Sequence, residues 1–159
     1  MNIIITPATQ EDYDGFVEVF KEVEEFHRLQ VPWKFKKPEP ELFAKDYYTE
    51  IITNPNSKIL LAKDGEYVVW FIMAVKKTAN PIPVLQPRDW IEIDDLVVQE
   101  KYKKQWIGKI LLQKVEDRAK ENKISDLEFN VWDFNEWAIK FYEKAGFTAI
   151  SHRMRKIIK

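Results

Sequence analysis

Two stretches of the chain hold residue types at spacings that could do chemistry. The first reads Leu96-Val97-Val98-Gln99-Glu100-Lys101-Tyr102-Lys103-Lys104-Gln105-Trp106-Ile107-Gly108-Lys109-Ile110-Leu111-Leu112. Aliphatic residues give way to a short basic loop, and the loop opens an amphipathic helix. A helix N-terminus offers N–H groups without intrahelical partners and the positive end of the helix dipole. With Lys103, Lys104 and Lys109 close by, the segment suits a phosphate-bearing ligand. It is also what a solvated basic turn before an ordinary helix would look like. The second stretch, Asn135-Glu136-Trp137-Ala138-Ile139-Lys140-Phe141-Tyr142-Glu143-Lys144-Ala145-Gly146-Phe147, reads as a helix closed by glycine.

Other reactive groups are sparser. Acidic residues, Glu92 and Asp94 among them, interrupt the aliphatic ones between Ile91 and Val98. His27 and His152 are isolated, with no matched carboxylate spacing, and make a poor metal site. Ser151 and His152 are neighbours on an expected strand, so their side chains leave on opposite faces and cannot form a local nucleophile–base pair. There is no cysteine, which excludes disulfides, thiolate metal sites and a cysteine nucleophile, and suits a reducing cytoplasm.

These groups need a scaffold, and the composition supplies an ordinary globular one. The 159 residues are 45% hydrophobic and 32% charged, enough for a single domain over residues 1–159 with one buried core. Net charge is −1 with the signs interspersed, unlike the basic stripe that nucleic-acid binding needs. No apolar run approaches the roughly 20 residues of a membrane span, and the first residues lack a signal-peptide pattern. Only four glycines accompany six tryptophans, where average usage would give about eleven glycines.

The element order reads β-α-α-β-β-β-α-β-α-β. Ile3–Ile5 is a short strand, and Thr9 with Asp12 has the spacing of a capping box. Tyr13, Phe16, Val17, Phe20 and Val23 recur on one face of a first helix. Phe43, Tyr47 and Ile51 mark a second, which Asn54-Pro55-Asn56 ends. Lys58–Lys63 and Glu66–Thr78 form a hairpin turned by Asp64-Gly65, and the unbroken apolar run Val68–Val75 suits a central strand covered on both faces. Ile91–Val98 is the next strand, followed by a helix from about Ile107 to Asn122. Leu127–Trp132 is a strand, Asn135–Ala145 a helix, and Phe147–Ile158 a last strand.

This order and these motifs resemble the GNAT acyltransferases. The stretch from Lys103 to Gly108 is similar to their acetyl-coenzyme A loop, Arg/Gln-x-x-Gly-x-Gly/Ala, and Asn135–Phe147 looks like their second signature, Asn-x-x-Ala-…-Tyr-Glu-Lys-x-Gly-Phe. The resemblance implies an α+β fold with a mixed, mostly antiparallel sheet flanked by helices. It implies acetyl transfer from acetyl-coenzyme A to a primary amine on a small molecule or peptide, without a metal. Backbone amides from Gln105 through Trp106 and Ile107 to Gly108 would hold the pyrophosphate, with Lys103, Lys104 and Lys109 around it. The backbone of Leu96, Val97 and Val98 would pair with the pantetheine arm like an added strand. Asn135 would touch the coenzyme, Tyr142 would protonate the departing thiolate, and Glu92 or Asp94 would take the amine's proton. Pairing of two copies through the final strands is expected of such a fold.

The chain departs from the family pattern in three places. Trp106 stands where the loop's first glycine belongs, and an indole there would fill the pyrophosphate space or reshape the loop. Lys103 replaces Arg or Gln, losing a fork-shaped donor. Trp70 interrupts the third strand where glycine is frequent. If the fold holds, Trp70, Trp106, Phe129 and Trp137 come from four elements around one groove. The alternative expectation is therefore a groove remodelled, by divergence or engineering, into an aromatic binding site without transferase activity.

Overall fold

In a computed structural model, residues 2–39, 42–98, 102 and 106–158 are described. Among these residues, five strands form one sheet and lie in it in chain order. They are β1 (Ile3–Pro7), β2 (Ser57–Asp64), β3 (Tyr67–Thr78), β4 (Asp89–Val98) and β5 (Leu127–Glu128). The first four are antiparallel, and β5 runs parallel to β4. Four α-helices among the described residues cover the sheet: α1 (Tyr13–Gln30), α2 (Lys45–Thr53), α3 (Ile107–Glu121) and α4 (Glu136–Lys144). The architecture is thus the expected mixed, mostly antiparallel sheet flanked by helices.

Local chemistry explains most boundaries. The Thr9 backbone N–H donates to Asp12 Oδ2 at 2.9 Å, and an ion pair from Lys63 on β2 ties this turn to the sheet. Gly65 takes φ +63° in the β2–β3 turn, a conformation that only glycine adopts without cost. In α2 the buried residues are Tyr48 and Ile51, whereas Tyr47 lies exposed. The buried stripe therefore follows Phe43, Tyr48 and Ile51, one position away from the expected Tyr47. The Tyr48 hydroxyl also donates to the Thr9 carbonyl at 2.8 Å, which a surface tyrosine at 47 could not do.

The apolar run of β3 is central, and each face of the sheet carries its own core. Phe71 and Met73 meet Phe16 and Val19 of α1 and Tyr48 and Ile51 of α2. Trp70, Ile72 and Ala74 meet Ile107, Leu111, Leu112, Val115 and Ala119 of α3. Strand alternation alone would put Val68 with Trp70. Instead the register jumps from Lys63↔Val68 to Ala62↔Trp70, so Val69 is an extra residue that reverses the phase. Val68 thereby joins the α1 face, and a Cβ on Gly15 would come within 2.8 Å of it.

Two expected strands are changed. Leu127–Trp132 is a strand only at Leu127–Glu128, because β4 turns away and leaves the rest without a ladder. The last strand, Phe147–Ile158, is not formed. Residues 148–158 are exposed, take no regular secondary structure and join none of the described strands.

Candidate active site

The parting of β4 from β5 creates the site. The two strands pair only at Ile91↔Leu127 and Glu92↔Glu128. From Ile93 to Val98, β4 keeps its β3 partners but has none from β5, so one backbone edge stays open. A cavity of about 450 Å³ occupies this opening. It is lined by Leu96 and Val97 of β4, Trp70 of β3 and Gly108 of α3, by Asn135, Phe141 and Tyr142, and by Glu22, Val23 and Phe26 of α1. The structure therefore brings Leu96, Val97, Gly108, Asn135 and Tyr142 together. Val98 continues the same edge, its backbone opposite Trp70.

The start of α3 forms the phosphate-loop side. Lys103, Lys104 and Gln105 lie outside the described residues. Trp106 is the residue before α3 and has φ +63°, ψ −6°, the left-handed conformation in which glycine is at home. The residue is 74% exposed and is not among those lining this cavity. Its backbone keeps a glycine-like turn. Lys109 Nζ sits 5.8 Å from the centre of its ring. Ile107 is buried in the core. Gly108 is needed for another reason, since a Cβ there would lie 2.8 Å from Cζ3 of Trp70.

The four-aromatic cluster is not assembled as expected. Trp70, only 2% exposed, and Trp137 reach the cavity, with Phe141 stacked on Trp137 at 5.8 Å. Phe129 instead packs on Tyr142, ring centres 3.9 Å apart, and on Phe147. The aromatic wall that does form was not expected from the sequence. Trp132 and Phe134 stack at 6.0 Å, and Phe26, Phe35 and Trp33 meet them edge-on. Only the third dimension gathers these rings, from α1, the loop after it and the segment before α4. His27 stacks on Phe35 there, and burial together with Lys34 holds its pKa below the usual imidazole value.

The acid groups depend on a second bulge. Met73 pairs with Asp95 and Ala74 with Ile93, which leaves Asp94 as the extra residue of β4. Glu92 is opposite Val75 and Glu128, at the end where β4 and β5 still pair. Asp94 is exposed at the bulge, although partial shielding of its carboxyl raises its pKa, with Lys77 lowering and Glu92 raising it. Neither lines the cavity, but Asp94 is two residues from Leu96, which does. Asp95 is the group that sequence reading missed. Burial pushes its pKa up to about 7, with the Asp94 charge adding to the effect. Its only signal in the sequence is the phase break in Ile91-Glu92-Ile93-Asp94-Asp95.

Tyr142 is 8% exposed and lies in the cavity wall. Burial, and then the Asp95 charge, raise its pKa well above that of free tyrosine, so the phenol is a protonated donor at neutral pH. Asn135 caps α4: its Oδ1 accepts from the Ala138 N–H at 3.2 Å, which leaves the side-chain NH2 for a ligand. Among the described residues no cluster of His, Asp or Glu could hold a metal ion, and no helix is long and apolar enough to cross a membrane.

A splayed β4/β5 pair with a helix N-terminus at its mouth defines an acyltransferase scaffold, and comparison with known proteins agrees. The Acetyltransferase (GNAT) family model matches residues 20–147, and the chain belongs to this family. It is 26% identical over 145 residues to L-ornithine N5-acetyltransferase NATA1 of Arabidopsis thaliana. That match covers 87% of this chain and 49% of NATA1, so the chain spans about half the length of this relative. Its fold is like that of the tetramutant of BH1408 protein from Bacillus halodurans, with a TM-score of 0.92 at 24% identity over 98% of this chain and 99% of that one. Glucosamine-6-phosphate N-acetyltransferase from Arabidopsis thaliana shares the fold at a TM-score of 0.73, with 15% identity and full coverage of both chains.

Proposed function

We infer that the chain transfers an acetyl group from acetyl-coenzyme A to a primary amine on a small cationic acceptor. The observation that carries this is the open β4 edge at Ile93–Val98, facing the start of α3 on one side and Tyr142 on the other. Acetyl-coenzyme A supplies a thioester whose leaving group is a thiolate. The residues present fit it: free backbone groups of Leu96–Val98 for an amide-bearing arm, and unpaired N–H groups at the start of α3 for phosphate. The NH2 of Asn135 is a further donor, and Lys109 a nearby cation.

The acceptor would enter from the α1 side, past Phe26 and the Trp132–Phe134 wall. Glu22 and Glu136 place carboxylates in that lining, Glu136 at 3.5 Å from Lys140, and carboxylates there suit an amine with a second positive charge. Asp94, directly or through water, would take a proton from the attacking nitrogen as the new C–N bond forms. As the C–S bond breaks, Tyr142 would give its phenolic proton to sulfur. The Asp95 charge would add to burial in favouring the protonated phenol. Glu92 is set aside as a base, because it lies where the strands have not yet parted.

Calorimetric titration of acetyl-coenzyme A into the chain and into Trp106→Gly tests the reading. Because Trp106 is not among the residues lining the cavity, micromolar binding by both is the expected result. Binding by the variant alone would mean that Trp106 blocks the groove and impairs the enzyme; binding by neither would defeat the proposal. With binding in hand, thiol release in the presence of ornithine, the acceptor named for NATA1, is the first acceptor assay.

A further inference from the structure

The proposed chemistry leaves Trp106 without a role, yet its setting is unusual. It immediately precedes α3, is 74% exposed and holds a left-handed backbone at φ +63°. A side chain there carries a conformational cost that glycine would not, and at this exposure burial of the ring does not offset it. Its neighbours are not those of a polar turn. The Ile110 N–H donates to the Trp106 carbonyl at 3.1 Å, and Ile110 is itself 47% exposed, one turn into the helix. Lys109 Nζ lies 5.8 Å from the centre of the indole ring. An exposed indole with an apolar residue and a cation beside it suits a flat ligand group that also carries negative charge.

The co-substrate of the proposed reaction ends in such a group, and this inference rests on that reading. Along its length coenzyme A runs from the thiol through an amide-bearing arm and a pyrophosphate to a 3′-phosphorylated adenosine. With the arm along Leu96–Val98 and the pyrophosphate at the start of α3, the adenosine is left beyond the cavity. Gly108 lines that cavity, whereas Trp106, two residues earlier, does not. We propose that Trp106 is a stacking platform for the adenine of coenzyme A, and that Lys109 answers the 3′-phosphate. The departure from glycine then adds a contact at the nucleotide end of the ligand. Trp106 touches no reacting atom; it sets affinity and selects the whole coenzyme over shorter pantetheine thiols.

Calorimetric titration with coenzyme A, dephospho-coenzyme A and 4′-phosphopantetheine tests this on the whole chain. Trp106→Ala keeps the Cβ, and with it the left-handed cost, so only the ring is lost. It should bind coenzyme A and dephospho-coenzyme A about five- to tenfold more weakly than the parent, the lower end for a base–aromatic stack because the ring is exposed. 4′-Phosphopantetheine, which lacks the nucleotide, should bind parent and variant alike. Trp106→Phe, still aromatic, should recover most of the loss. Lys109→Ala should weaken coenzyme A more than dephospho-coenzyme A, and added salt should shrink that difference. Equal affinity of the parent and Trp106→Ala for coenzyme A overturns the proposal. So does an equal loss for all three probes, which would make Trp106 a shaper of the loop. A parent that binds none of the probes defeats the acetyl-transfer reading together with this inference. A parent that binds all three with no effect of the ring overturns this inference alone.

Discussion

Tyr142, Asp94, Asp95 and Trp106 each carry an expectation that a single substitution tests. Tyr142→Phe keeps the ring packed against Phe129 and removes only the proton donor. We expect kcat to fall by about 10²- to 10⁴-fold, the usual worth of a general acid, with acetyl-coenzyme A binding little changed in calorimetry. Asp94→Asn should cost a similar factor at pH 7, whereas Glu92→Gln should leave the rate nearly unaltered. Equal losses for both would return the base assignment to Glu92. Asp95 gives a prediction about pH. Its pKa of about 7 lies above the unfolded value near 3.9, so the unfolded chain releases this proton first as pH rises. Stability from this group is therefore full below about pH 4, declines between about pH 4 and 7, and is flat above. Asp95→Asn should remove that decline, and melting temperatures at pH 5 and pH 8 would show it. For Trp106→Gly, relief of a left-handed Cβ should raise stability by about 1 kcal/mol in chemical denaturation.

At the scale of elements, the start of α3 and the middle of β3 are fitted to one another. Gly108 lets the helix approach Trp70 so closely that a single methyl would collide with the indole. Gly108→Ala should destabilise the protein by about 1–3 kcal/mol, as overpacking does, and should shift the N–H groups that the phosphate reading requires. Trp70 Nε1 is buried without a hydrogen-bond partner, so Trp70→Phe removes an unsatisfied donor while opening space. The double variant Gly108→Ala/Trp70→Phe should thus cost less than the two single changes added together, and a denaturation cycle measures the coupling. The bulges work at this scale too. One extra residue at Val69 turns Val68 toward α1, and another at Asp94 brings Asp95 level with Met73 just where β4 leaves β5.

Over the whole molecule, the sheet separates two cores while the site lies at their shared open end. Phe16 touches Phe20, Phe43, Tyr48 and Phe71, with ring centres 4.6 to 5.8 Å apart, and so locks α1 and α2 to the sheet. Phe16→Ala should cost about 3–5 kcal/mol, read from denaturant midpoints, and should loosen Glu22 and Phe26 farther along the same helix. Much of this plan was legible in the sequence because it is local. Helical repeats placed α1 and α3, Asp64-Gly65 placed the hairpin, the apolar run Val68–Val75 placed the central strand, and Asn135–Phe147 placed the α4 segment with Tyr142. What the sequence could not give depends on phase or on distant partners. Both bulges change which side chains share a face without changing the composition of their strands. Phe147–Ile158 reads as a strand, but sequence does not supply a neighbour, and among the described strands the segment has no ladder partner. The backbone at Trp106 was likewise decided in space: the residue type alone does not announce the left-handed conformation at φ +63° that the start of α3 takes there.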